Sequence, residues 1–162
     1  LLDQVRSHAP AAGVRSNVIV GFPGETEDDL ETLCDFLVAA RMDVTGVFGY
    51  SDEDGTEAAS YDGKLDEDEV RARVEHVSGL VEELNAHRAE ERIGEEVLVL
   101  VESLDDDGLL AEGRAAHQGP EVDGTTTVTD LPDGVRVGDL VTAEVVATDG
   151  VDLVAEARGG TR

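Results

Sequence analysis

Apolar residues recur along this chain in two different rhythms, and the change from one to the other divides it. Residues 1–8 have helical texture, stopped by Pro10 and released at Gly13. Residues 14–22 then give a nearly continuous apolar run rich in β-branched side chains, which predicts a parallel strand covered on both faces. Pro23 and Gly24 turn the chain, and Thr26 with Asp29 three positions on is an acidic form of the capping box that opens a helix. Leu30, Leu33, Cys34, Leu37 and Val38 follow at helical spacing, one face for a sheet to receive. Residues 43–50, with Val44, Val47 and Phe48, return as a strand, so 14–50 form one right-handed β-α-β unit. Residues 51–64 carry no period and make a polar loop long enough to be functional. Asp66 as cap, Glu69 at the third position and Leu65 stapled onto Val70 begin a long helix. Its stripe is Val70, Val74, Val77, Val81 and Leu84, and it runs to about Arg92 and ends at Gly94.

Beyond Gly94 the period drops from helical to two. Strands are predicted over 97–101, 109–115, 125–129, 140–147 and 151–157, separated by turns at Asp105-Asp106-Asp107-Gly108, Asp123-Gly124, Pro132-Asp133-Gly134 and Asp149-Gly150. Five short strands of this kind indicate a small closed barrel. The fold class is α/β followed by all-β. The domains are 1–92 and 93–158, with a tail over 159–162.

Composition narrows the partners. The formal charge is −26 over 162 residues, with 22 acids against 8 bases in 1–92 and 16 against 4 in 93–162. Neither part suits a nucleic acid, because a surface this acidic repels phosphate and attracts basic partners. General adaptation to an acid-rich proteome explains the same charge. A single cysteine excludes an intramolecular disulfide, and no apolar run of membrane-spanning length or signal sequence is present, so a cytoplasmic location is expected. The chain starts at Leu1 within helical texture, which suggests a fragment of a longer protein.

The candidate chemistry gathers at two strand ends. Gly21 and Gly24 let backbone approach a planar ligand, Ile19 and Val20 offer an apolar surface with main-chain hydrogen bonds, and Glu25 follows in the turn. Tyr50 and Ser51 end the second strand, and Tyr50 is either a ligand contact or a rim residue with a satisfied hydroxyl. Cys34, in mid-helix on the apolar stripe, reads as a core residue, and His8, His76, His87 and His117 have no partner at metal-ligand spacing, so no metal site is expected. Arg15 can reach a carboxylate of a substrate or cofactor, or pair with one of the 38 acids.

Gly21-Phe22-Pro23-Gly24-Glu25-Thr26, then Phe48-Gly49-Tyr50-Ser51 with Gly55-Thr56 and Ala58-Ala59, resemble the last β/α units of the radical S-adenosylmethionine barrel of methylthiotransferases. Glu57 stands where that family more often has proline. Residues 95–101, Glu112-Gly113-Arg114, 118–124 and Gly138-Asp139-Leu140-Val141 resemble the TRAM domain of those enzymes, and Pro120-Glu121-Val122-Asp123-Gly124 is most similar to the RimO branch. The tRNA-modifying MiaB branch normally has a more basic tail. The resemblance covers nearly the whole chain. It implies the carboxyl-terminal part of an enzyme that uses S-adenosylmethionine and two [4Fe–4S] clusters to methylthiolate an aspartate of the twelfth small-subunit ribosomal protein, a basic partner. It implies that Ile19, Val20, Gly21, Gly24, Glu25, Tyr50 and Ser51 belong to the S-adenosylmethionine pocket and that Arg114, His117, Glu121 and Asp123 meet the substrate. The cluster cysteines are then absent from this chain, which by itself is inactive. The other reading is a non-catalytic acidic module that binds a basic protein.

Overall fold

The computed structural model describes residues 1–120 and 122–161. The elements in order are α1 (Leu2–His8), β1 (Arg15–Val20), α2 (Glu27–Ala40), β2 (Val44–Gly49), α3 (Glu67–Glu90), β3 (Glu96–Leu104), β4 (Ala111–Ala115), β5 (Thr126–Thr129), β6 (Leu140–Asp149) and β7 (Asp152–Thr161). They form an α/β portion and a closed barrel, as the change of rhythm predicts. Contacts divide the chain into two compact units, Arg15–Leu84 and a second made of Leu1–Val14 with Asn85 onward. Among the described residues no helix is long and apolar enough to cross a membrane.

In the first unit β1 and β2 pair in parallel, with Val18 opposite Val47, Ile19 opposite Phe48 and Val20 opposite Gly49. The cap of α2 forms as its sequence predicts: Asp29 N–H donates to Thr26 Oγ1, and Thr26 N–H to Asp29 Oδ2 at 2.9 Å. Asp66 Oδ1 likewise accepts the Glu69 amide at 2.8 Å at the start of α3. Val20, Leu30, Leu37, Val77 and Val81 make the core between sheet and helices. Two expectations fail here. β1 alternates between exposed and buried positions instead of being covered on both faces, because both helices pack on one face of a two-stranded sheet. Val38 is 52% exposed, since the buried stripe of α2 is narrower than its apolar spacing, with Leu30 and Leu37 inside and Leu33 and Cys34 at its margin.

The barrel closes in the order β3-β4-β5-β7-β6, antiparallel throughout except for the parallel pair β5 and β7. With no tryptophan in the chain, its interior is filled by small branched and unbranched residues: Val97, Val99, Val101, Ala111, Ala115, Val128, Val141, Ala143, Val145, Leu153 and Ala155. Each fully buried valine contributes roughly 1.5–3 kcal/mol relative to exposure. Leu109, placed in a strand by its pattern, is 68% exposed in the turn before β4. Gln118 is buried and its Oε1 accepts from Ala115 N–H at 2.8 Å and Thr126 Oγ1 at 2.6 Å, while Nε2 donates to the Thr125 carbonyl at 3.0 Å. That one amide ties β4 to β5.

Candidate functional site

The chain leaves β1 through Gly21 with φ +77° and turns again at Gly24 with φ +85°, both in the left-handed region that favours glycine. A Cβ on Gly21 would stand 2.8 Å from Val70 Cγ2, and one on Gly49, across the sheet, 3.0 Å from Val70 Cγ1. The space on the side-chain side of Gly21 is therefore taken by α3. Gly24 is different: nothing lies within 4 Å of the position its Cβ would occupy, and its N–H donates to the Gly63 carbonyl at 2.8 Å, strapping the 51–64 loop to the turn.

Glu25 folds back into the protein. Its Oε1 accepts the Gly21 amide at 2.9 Å and the Arg73 Nη1 at 2.7 Å, with only 13% of the side chain exposed. Arg73 is itself 6% exposed and its guanidinium is held above the ordinary arginine range, first by its hydrogen bond to Glu25 and then by that to Glu69. The carboxylate of Glu25 thus shapes the turn and is committed to it. Sequence reasoning missed Arg73, since a pairing across 48 residues leaves no periodic trace.

Phe22 stacks edge-on against Tyr50, with ring centroids 5.2 Å apart, and against Tyr61 at 6.0 Å. Tyr50 Oη donates to Asp52 Oδ1 at 2.8 Å, and Lys64 Nζ donates to Asp52 Oδ2 at 2.7 Å and to the Ala59 carbonyl at 2.8 Å. Those bonds, Lys64 first and Tyr50 second, hold the Asp52 carboxyl below the usual range, while burial and then the bond to Asp52 push the Tyr50 hydroxyl up. Ser51 Oγ donates to Glu53 Oε1 at 2.9 Å. Tyr50, Ser51, Asp52 and Lys64 border an open groove of about 520 Å³ floored by Val70 and Val74.

The helix-free face of the sheet is apolar at the same end. Ile19 is 59% exposed and its register partner Phe48 is 55% exposed. One step back, Gly46 leaves room for Asn17, whose Oδ1 would meet a Cβ there at 2.6 Å. Val20 points the other way and is fully buried among the helices, so its side chain is not part of this face; its carbonyl accepts the Tyr50 amide at 2.8 Å. Asn17 is a further residue of the face that motif reading did not single out, although alternation from Ile19 marks it, and Phe48 of the quoted motif joins it from β2.

The barrel candidates do not converge in the same way. Arg114, half-buried on β4, gives its Nε to Glu102 Oε1 at 2.7 Å. His117 is half-buried, and a Cβ on Gly13 would come within 2.3 Å of its carbonyl oxygen, so the segment after α1 runs closely along it. Asp123 is 8% exposed and its Oδ2 accepts the Gly119 amide at 2.8 Å, which makes it a brace for the 118–124 loop. Glu121 lies outside the described residues.

Cys34 is half-buried, and burial, with Asp35 and Glu31 nearby, pushes its thiol up, away from the thiolate that ligates iron. Among the described residues no three His, Cys, Asp or Glu side chains form a group that could hold a metal ion. The donors of this chain do not fit an iron–sulfur cluster. Ile19 and Phe48 offer an exposed apolar face of the kind a planar ligand can lie on, whereas the Gly24 amide is already committed to Gly63.

Residues 93–157 match the TRAM domain family. Over 157 residues the chain is 74% identical to the ribosomal protein uS12 methylthiotransferase RimO of a Nocardioides species, a match covering 96% of this chain and 32% of that protein. The protein of the same description from Saccharopolyspora erythraea is 61% identical over 162 residues, 100% of this chain and 33% of its own length. That from Kineococcus radiotolerans is 64% identical over 160 residues, 96% and 33%. The chain thus spans about a third of the length of these curated relatives.

Proposed function

We propose that this chain, which resembles the carboxyl-terminal portion of the RimO-type ribosomal-protein methylthiotransferases, belongs to a radical S-adenosylmethionine enzyme that methylthiolates ribosomal protein uS12. The observation that carries the reading is 74% identity through 96% of the chain, across both compact units. On this reading the modified residue is an aspartate, residues 1–92 complete a barrel, 93–158 hold the substrate with β7 continuing to Thr161, and the enzyme works in the cytoplasm.

S-adenosylmethionine and two [4Fe–4S] clusters, when bound to the full enzyme, supply the radical and sulfur chemistry. This chain's part is to bind and orient. Ile19 and Phe48 give the nucleoside an apolar wall, and the turn at 21–25 with Tyr50 and Ser51 follows at the carboxyl ends of the same two strands. In the barrel part, 16 acids against 4 bases complement a basic ribosomal protein and disfavour nucleic acid.

The test is to produce the full-length protein that contains this chain, reconstitute iron and sulfide without oxygen, and add S-adenosylmethionine and uS12. Cleavage of S-adenosylmethionine and a methylthio mass increment on one uS12 aspartate are expected. A folded, cluster-loaded protein that leaves both reagents unchanged overturns the reading.

A further inference from the structure

Arg73 lies on the core-facing stripe of α3, one turn before Val77 and two before Val81, which are 0% and 4% exposed. At those later positions an apolar side chain meets the sheet. At 73 stands a cation that meets carboxylates, and every edge of it is taken: Nη1 donates to Glu25 Oε1 at 2.7 Å and to the Glu25 carbonyl at 3.2 Å, Nη2 to Glu27 Oε1 at 2.8 Å, and Nε to Glu69 Oε1 at 2.8 Å. A buried charge of this kind is weak as a source of stability, because its desolvation offsets most of the attraction to its partners. What it does supply is direction. The guanidinium fork joins the turn after β1 (Glu25), the first residue of α2 (Glu27) and the first turn of α3 (Glu69), and the oxygen it grips on Glu25 is the one that accepts the Gly21 amide at 2.9 Å.

We propose that Arg73 is a positioning residue: by fixing Glu25 Oε1 against the Gly21 amide it sets the conformation of the 21–25 turn, and through the turn the affinity of the adjoining site for S-adenosylmethionine. The second half rests on the functional reading given above; the first does not. Arg73 touches no ligand in this role. It holds Glu25 so that the left-handed Gly21 and Gly24 keep the backbone of the turn in one shape before a ligand arrives, which lowers the ordering cost of binding.

The experiment has two readouts. Gly21 amide exchange is followed by NMR in this chain, and the S-adenosylmethionine dissociation constant by equilibrium dialysis on the full-length protein. The variants are Arg73→Gln, Arg73→Lys and Glu25→Gln, with the exposed Arg158→Gln as the comparison of equal charge change. Arg73→Gln should speed Gly21 exchange and weaken S-adenosylmethionine binding, each by roughly tenfold, the size of one lost charge-assisted hydrogen bond. Arg73→Lys should recover part of both, and Arg158→Gln should change neither, while exchange of the Val99 amide stays constant in all. Should Arg73→Gln not fold, Glu25→Gln keeps an oxygen for Gly21 but not the charge that holds the fork, and a smaller rise in both readouts is expected. Folded variants with wild-type Gly21 exchange and wild-type affinity overturn the proposal. Unsubstituted protein that binds no S-adenosylmethionine overturns the functional reading alone, and Gly21 exchange then decides the role of Arg73.

Discussion

A methyl group on Gly113 would stand 2.0 Å from the Leu100 carbonyl oxygen, in the ladder where Leu100 pairs with Arg114 and Val101 with Gly113. Backbone cannot yield there as the end of a side chain can. Gly113→Ala should therefore destabilise the barrel by about 3 kcal/mol, through overpacking against main chain, and urea unfolding of the chain followed by circular dichroism measures it. Asp52 makes a prediction of another kind. Its folded carboxyl is lowered by Lys64 and Tyr50, so these bonds stabilise the loop fully above the unfolded value near pH 4 and lose that effect as pH falls through the lowered folded value. An NMR titration should find the Asp52 carboxyl below the ordinary range in the wild type, and higher in Lys64→Met, which removes the larger cause. Equal values in the two proteins would mean that the Lys64 contact at 2.7 Å is not kept in solution.

Among the elements, those whose signals are local were the legible ones. Thr26 and Asp29 announce the start of α2 because both partners of the capping box lie within one turn, and Thr26→Ala should cost about 1 kcal/mol in thermal or urea unfolding. The five barrel strands could be read from alternation and turn residues, but not the parallel union of β5 with β7, which depends on how the barrel closes. The two-sided cover predicted for β1 failed because an apolar run says how much surface is hydrophobic and not which neighbours exist to bury it; Ile19 and Phe48 stay open. At the site the turn, Tyr50 and Ser51 stand out as motif, whereas the ion pair of Glu25 and the inward direction of Val20 do not. Glu25 is claimed by Arg73 from a distant part of the chain, and Val20 differs from Ile19 only by strand parity.

For the molecule as a whole, 38 acids against 12 lysines and arginines leave a formal charge of −26. Self-repulsion at that density opposes compactness, and between about 10 mM and about 1 M salt the Debye length shrinks from roughly 30 Å to roughly 3 Å. The melting temperature should rise across that range in sodium chloride, and a flat or falling series would show that local ion pairs such as Arg73 with Glu25 outweigh the net field. Barrel closure carries a consequence for the order in which the protein can be made. Among the described residues it is β7 that joins β5 to β6, so a ribosome emitting the chain from its amino end exposes two unsatisfied strand edges until the residues after Gly150 emerge. Pairing of such sequence-distant strands is slow relative to local structure, and a chain stopped at residue 150 should precipitate where the 162-residue chain remains in solution, a comparison that a sedimentation assay of the two translation products makes directly. The ten residues of β7 are thus the piece whose arrival closes the β domain, and a chain that lacks them leaves it unfinished.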